Sequence, residues 1–109
     1  MKKYLVLMFL SLLGSYANAD YNANITGKVT SIATYTYSGR IYFRLDNQPS
    51  SHPACQTDYF AIDESTPDAI RQQVYSRLLV AYSSGKAINI GYDKEGGCAH
   101  GRIKVYRVG

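Results

Sequence analysis

The sequence has few cysteines, few acidic residues and no tryptophan. Cys55 and Cys98 are its only cysteines, and eight Asp and Glu residues stand against 12 Lys and Arg residues, which gives a formal net charge of +4. The length of 109 residues allows one domain and excludes a multidomain enzyme. The composition, 46% hydrophobic and 18% charged, is typical of a globular protein and excludes a disordered one.

The first 19 residues match a bacterial-type secretory signal peptide. Lys2-Lys3 forms a positive n-region, residues 5–13 form an apolar h-region, and Ala17-Asn18-Ala19 is an A-x-A cleavage site. The apolar run is shorter than the roughly 20 residues that span a bilayer, and no later segment is longer, so we predict cleavage and no membrane span. The predicted organisation is a signal peptide, 1–19, followed by one secreted or periplasmic domain, 20–109.

Removal of this segment weakens the charge signal. A basic protein suggests an acidic partner, and nucleic acid is the obvious candidate. Because Lys2 and Lys3 leave with the signal peptide, the net charge of the remaining chain falls to +2. Export also removes the protein from the compartment that holds nucleic acid, so we predict no nucleic-acid partner.

The two cysteines allow three interpretations. In an exported chain the simplest is one disulfide between Cys55 and Cys98. The spacings His52-x-x-Cys55 and Cys98-x-His100 also permit a Cys2His2 zinc site or a Cys–His nucleophile pair. An oxidising compartment favours the disulfide, so we predict no metal site and no cofactor.

Alternation and turn signals predict five strands and one helix. The strands cover residues 25–37, 40–46, 59–63, 87–93 and 102–108. The first is long, and its apolar side switches midway, which predicts a bulge or bend for which Gly27 is suited. In the second strand, Ile41, Phe43 and Leu45 are expected to face inward, with Arg40, Tyr42 and Arg44 outward.

The helix has clear end signals. Thr66 is the predicted N-cap, Pro67 the first helical residue and Gly85 the terminating glycine. One apolar face is predicted from Ile70, Val74, Leu78, Ala81 and Tyr82. The order β-β-β-α-β-β predicts an all-β fold with one helix, a five-stranded OB-fold barrel. The alternative is an open α+β sheet with the helix packed on one face.

No residue pattern predicts catalysis. Asp63 and Glu64 are adjacent on a strand and so point to opposite sides. No serine stands in a G-x-S-x-G context, and no helix follows Gly96-Gly97 to form a phosphate site. We therefore predict no catalytic residue and no enzyme activity.

The segment from Ile25 to Tyr92 resembles the B subunits of AB5 toxins of the subtilase-cytotoxin and typhoid-toxin type. The shared pattern comprises Gly27-x-Val29, Gly39, Tyr42-Phe43-x-Leu45, Cys55, Tyr82-x-x-Gly85 and Ile88-x-Ile90-x-Tyr92. The resemblance implies an exported OB-fold that forms a homo-pentamer, binds cell-surface glycans, often sialylated, and accompanies a separate A subunit. A serine before the first-strand glycine contacts sugar in that family, and Thr26 is the matching residue here.

Tyrosines add to this expectation. Tyr35, Tyr37 and Tyr42 cluster near the first turn between strands, and tyrosine rings stack on sugar faces while their hydroxyls bond sugar rims. We therefore predict a glycan site at Thr26, Tyr35, Tyr37, Tyr42 and Arg44, in an exported non-catalytic binding module. Cross-strand packing of the tyrosines and a solvated basic face remain alternatives for these residues. The alternative function is a periplasmic structural or interaction protein of the same fold without a sugar site.

Overall fold

Seven strands and one helix form in the computed structural model, which describes residues 21–109. The predicted signal peptide and its cleavage site lie outside these residues. The elements, in chain order, are β1 Ala23–Gly27, β2 Val29–Thr34, β3 Ile41–Leu45, β4 Gln56–Ile62, α1 Asp68–Ser84, β5 Ile88–Tyr92, β6 Cys98–Ala99 and β7 Arg102–Val108.

The strands form one strongly curled sheet in the order β1-β5-β7-β4-β3-β2, with β6 paired to β7. The pairing of β4 with β7 is parallel, and the other pairs are antiparallel. Lys28 alone separates β1 from β2, which lie at opposite ends of this order, so one continuous segment supplies both ends of the sheet. This is the topology of the OB-fold, a partly open Greek-key barrel. The predicted all-β fold with one helix is confirmed, and the strong curl of the sheet excludes a flat α+β sheet. The predicted count of five strands is wrong, because the first predicted strand divides into β1 and β2 at the bend and the short β6 is an additional strand.

The bend in the first long strand lies where β1 passes into β2. A Cβ atom on Gly27 would collide with the Asn47 side chain, so the glycine lets this side chain lie against the backbone at the bend. The backbone N–H of Asp46 donates to the Lys28 carbonyl oxygen at 2.8 Å, and the Lys28 N–H donates to Asp46 Oδ1 at 3.0 Å. The β2–β3 register also shifts just after Val29. The predicted bend and bulge are therefore both present.

The apolar core lies between the curled sheet and α1. Ile41, Phe43 and Leu45 point inward, as alternation predicts. The largest fully buried side chains are Phe43, Leu45, Phe60, Leu78, Ile90 and Ile103. Burial of each contributes roughly 1.5–3 kcal/mol relative to exposure.

The helix differs from its prediction at two points. Its N-cap is Pro67, in an extended conformation with ψ 143°, and not Thr66, whose N–H instead donates to the Asp63 carbonyl in the preceding turn. The predicted apolar face is also too broad. Leu78 and Ala81 are buried and Val74 packs against the core, whereas Ile70 and Tyr82 are half exposed. Within residues 21–109, no helix has the length and hydrophobicity needed to cross a membrane.

Cys55 and Cys98 form the predicted disulfide, with their Cα atoms 5.6 Å apart. Because the two sulfurs are bonded to each other, the zinc-site and nucleophile interpretations are wrong. His52 supports the same region, since its Nδ1 accepts the backbone N–H groups of Ala54 and Cys55, and its Nε2 lies 2.8 Å from the Asp93 carbonyl oxygen. The disulfide is compatible with an extracellular or periplasmic location.

Candidate functional site

Four tyrosines line the outer side of the sheet beside the β2–β3 hairpin, and we call them the tyrosine patch: Tyr35, Tyr37, Tyr42 and Tyr59. The hairpin turn is tight, because the Gly39 N–H donates to the Tyr35 carbonyl oxygen at 2.7 Å and Gly39 has φ +73°. Ring centroids are 6.1 Å apart for Tyr37 and Tyr35, 5.2 Å for Tyr35 and Tyr42, and 5.9 Å for Tyr42 and Tyr59. The rings therefore form a continuous row in contact.

Exposure of the side chains decreases from Tyr37 to Tyr42, and Tyr59 at the far end is half-buried. Tyr37 is 80% exposed and Tyr35 is 39% exposed, whereas Tyr42 is only 4% exposed. The outer two rings present surface to a ligand, and the inner rings support them from behind. Aromatic pairs at these separations contribute about 0.5–1.5 kcal/mol beyond their burial.

The burial of Tyr42 corrects the expectation that it faces solvent. Alternation predicts the correct side of the sheet for Tyr42, whose side chain points away from the core residues Ile41 and Phe43. On that outer side, however, Ala61 and Ala99 pack with Tyr42 in a second small buried cluster. The guanidinium carbon of Arg102 lies 5.0 Å from the Tyr42 ring centroid, a cation–π distance. Tyr42 is therefore a supporting residue of the patch and not a surface for stacking.

Most cations beside the tyrosine patch have acidic partners. Arg102 pairs with Asp58 at 3.4 Å, and Arg40 pairs with Glu64 at 3.4 Å. Desolvation of Arg40 opposes its charge, but the hydrogen bond and charge of Glu64 outweigh this and raise the Arg40 pKa. Ion pairs therefore neutralise two of the cations that border the patch.

Arg44 lies on the same outer side of β3 as Tyr42. Its Nη1 donates to the Asp58 backbone carbonyl oxygen at 2.6 Å, and its side chain is exposed. This contact fixes one nitrogen of the guanidinium at the edge of the patch. The structure therefore places Arg44 with three of the predicted site residues, Tyr35, Tyr37 and Tyr42.

Thr26 lies elsewhere, near the bend at the other end of β3. Asn89 Nδ2 donates to Thr26 Oγ1 at 2.7 Å, and Asn47 Nδ2 donates to the Thr26 carbonyl oxygen at 2.8 Å. Arg107 donates to Asn89 and also to Asn24 Oδ1 at 2.7 Å. Thr26 therefore belongs to a separate polar surface on β1, β5 and β7, and the five predicted site residues do not form one site.

Comparisons of the chain with family models, with curated proteins and with solved structures find no match.

Sequence reasoning missed Tyr59 and Asp58 as neighbours of the patch. The third predicted strand, 59–63, begins after Asp58, and no side of the sheet is predicted for Tyr59, whereas β4 begins at Gln56. Alternation relative to Phe60 could have placed Tyr59 on the outer side. The contact between Asp58 and Arg102 depends on the parallel pairing of β4 with β7, which residue spacing does not reveal.

The arrangement provides aromatic surface, hydroxyls and cations in ion pairs. Within residues 21–109, no group of three or more His, Cys, Asp and Glu side chains lies close enough to hold a metal ion. The geometry is suited to holding a ligand that has both an apolar face and a polar edge.

Proposed function

We propose that this chain is an exported, non-catalytic module that binds a glycan through the tyrosine patch. The observation that carries the proposal is the exposed pair Tyr37 and Tyr35, which rests on the buried Tyr42. A pyranose ring has an apolar face that packs on an aromatic ring and hydroxyls that bond its polar tip. Because the supporting rings already restrict the outer pair, less side-chain entropy is lost on binding.

The fold and the sequence resemblance support the same ligand class. Oligosaccharides are among the ligands of OB-folds. The resemblance to AB5 B subunits favours a cell-surface glycan and adds two proposed partners, four further copies of this chain and an A subunit. Thr26 remains a proposed sugar contact on its own polar surface, with Asn89 and Asn47 as neighbours. Arg44 is proposed as a hydrogen-bond donor at the edge of the patch.

The alternative function is a periplasmic structural or interaction protein without a sugar site. One observation favours it: α1 carries several exposed apolar side chains, Ile70, Leu79, Val80 and Tyr82. Such side chains are typical of surfaces that contact another protein. This function would leave the tyrosine patch as sheet packing.

A glycan array probed with protein expressed from the full chain distinguishes the two functions. We expect binding to a set of glycans that falls about tenfold for Tyr37→Ala, because the variant loses an aromatic contact of roughly 1 kcal/mol or more. Tyr106→Ala is the control, since Tyr106 is an exposed tyrosine on β7 whose ring contacts Lys104 and none of the four rings of the patch. Light scattering on the same sample measures whether the particle has the mass of a pentamer.

Two outcomes would contradict the glycan proposal. One is the absence of binding to any glycan, and the other is an equal loss for the Tyr37 and Tyr106 variants. A monomer that still binds glycans would contradict only the pentamer.

A further inference from the structure

A cavity of about 460 Å³ lies between the N-terminal half of α1 and the β2–β3 hairpin. Two residues, Thr34 and Ile41, line it from the hairpin, and five line it from the helix: Asp68, Arg71, Gln72, Tyr75 and Ser76. No residue of the tyrosine patch is among its lining residues. Its volume is within the range of small-molecule pockets, about 300–1,000 Å³.

Arg71 is the only cation among the lining residues, and its guanidinium is poorly satisfied. The side chain is 18% exposed, and its Nε is buried without a hydrogen-bond partner among the described residues. The nearby carboxylate of Asp68 is 91% exposed and lies 3.7 Å from Nη1. This is longer than the roughly 2.7–2.9 Å of a charge-assisted hydrogen bond.

The hairpin holds Arg71 in this position. A Cβ atom on Gly39 would lie 2.9 Å from Arg71 Nη2, so the guanidinium packs against the glycine of the turn. Asp68 is near Nη1 but leaves the buried Nε without an acceptor, and the penalty for burying such a donor is relieved when a partner supplies one. The cavity is therefore complementary to a group that carries negative charge and planar acceptor atoms.

The remaining lining residues determine the chemistry of the rest of the ligand, beyond its charged group. Ile41 and Tyr75 give one side an apolar character, while Thr34 and Gln72 supply neutral hydrogen-bonding groups. A single guanidinium fork matches the two oxygens of a carboxylate. A dianion such as phosphate would face Asp68 with only one cation to balance it, so a monoanion fits better.

We propose that this cavity binds a small organic monocarboxylate, with the carboxylate on Arg71 and an attached apolar group against Ile41 and Tyr75. The site is distinct from the tyrosine patch and does not depend on glycan binding. Arg71 acts as a binding residue in this assignment, and Gly39 provides the space in which its guanidinium lies.

Titration of ¹⁵N-labelled protein, expressed from the full chain, with phenylacetate tests the proposal by chemical-shift changes. We expect saturable shifts at amides of Thr34, Ile41, Gln72 and Tyr75, with a dissociation constant on the order of millimolar for so small a probe. Phenylacetamide has the same shape without the charge, and we expect it to bind about tenfold more weakly. Inorganic phosphate is expected to bind more weakly than phenylacetate at these amides.

Variants provide a second comparison. Arg71→Gln is expected to weaken the binding of phenylacetate about tenfold, so that the variant binds phenylacetate no more tightly than phenylacetamide. Arg77→Gln is the matched control, since it makes the same change of charge on α1 at a residue outside this cavity. If Arg71→Gln does not fold, the comparison of phenylacetate with phenylacetamide on the unaltered protein still tests the proposal. Equal binding of acid and amide, tighter binding of phosphate, or no shift at these amides would overturn the proposal.

Discussion

Asp63 shows how one hydrogen bond sets the charge of a residue at a strand end. The Ser65 hydroxyl donates to Asp63 Oδ2 at 2.7 Å, and this hydrogen bond is the largest cause of the lowered Asp63 pKa. Partial desolvation of the carboxylate raises the pKa, and the positive charge of Lys104 lowers it further. Because the folded pKa lies below the ordinary value of 3.8, the ionised group stabilises the fold above that value. This contribution is lost as the pH falls through 3.8 towards the folded pKa.

Asp63→Asn should therefore destabilise the protein at neutral pH and matter little in acid. We expect the free energy of unfolding to fall by about 1 kcal/mol at pH 7. The difference from the unaltered protein should shrink as the pH is lowered from 5 to 2.5, as measured by urea unfolding at each pH. Asp68→Asn is the control, since the Asp68 carboxyl is 91% exposed and its nearest cation, on Arg71, lies beyond hydrogen-bond distance at 3.7 Å. A difference that stays constant down to pH 2.5 would contradict the assignment.

At the residue scale, the sequence predicts which side of the sheet a side chain faces better than it predicts which residues cover that side chain. Alternation places Tyr42 and Arg44 on the outer side of β3, and both lie there. It does not predict that Ala61 and Ala99 cover Tyr42, because this cover comes from strands distant in sequence. Thr66 has a good N-cap side chain, but Pro67 takes the cap position because its extended backbone immediately precedes the first helical residue.

The end of α1 offers a test of backbone conformation alone. Gly85 caps the helix in the left-handed region, with φ 70°, and its N–H donates to the Ala81 carbonyl oxygen at 3.0 Å. No heavy atom lies within 4 Å of the position that a Cβ would occupy. Any loss on substitution therefore reflects conformational preference and not a clash.

Gly85→Ala should lower the free energy of unfolding by about 1 kcal/mol, because alanine disfavours positive φ. Gly85→Asn should lose less, since asparagine tolerates this region. Chemical unfolding monitored by circular dichroism measures both. An alanine variant as stable as the unaltered protein would show that the helix ends in another way.

At the element scale, the predictions were best where a segment carries its own end signals. The helix has Pro67 before it and Gly85 after it, and its predicted extent is close to that observed. The two-residue strand β6 was missed because it is too short to show alternation. The start of β4 was missed because Gln56-Thr57-Asp58 resembles the polar loop that precedes it.

The disulfide acts on the whole molecule. It links residues 43 apart and joins the start of β4 to β6. In the chain-entropy model, closing such a loop contributes on the order of 4 kcal/mol. A Cys55→Ala, Cys98→Ala double variant should therefore unfold at a markedly lower temperature.

Calorimetry of the double variant and intact-mass measurement after alkylation check this together. The unaltered protein should take up alkylating reagent only after reduction. His52→Gln provides a comparison that perturbs the same loop and leaves the disulfide intact. Uptake of two reagent molecules without reduction would contradict the disulfide.

At the scale of the molecule, the order of elements was enough to predict the OB-fold, whereas the candidate site was predicted only in part. Tyr35, Tyr37, Tyr42 and Arg44 come together because they belong to one hairpin and its strand. Thr26 is separated from them because the bend at Gly27 and Lys28 directs β1 towards β5. The direction taken after a bend depends on strand pairing, which local spacing does not specify.

The position of β7 has a consequence for biosynthesis. It follows the other six strands that the structure describes, yet it lies between β5 and β4 in the sheet. A nascent chain that has not yet produced Arg102–Val108 cannot join the two halves of its sheet, and such non-local pairing is slow. We therefore expect the emerging polypeptide to remain unfolded until synthesis has passed this strand, a state suited to threading through a translocation channel.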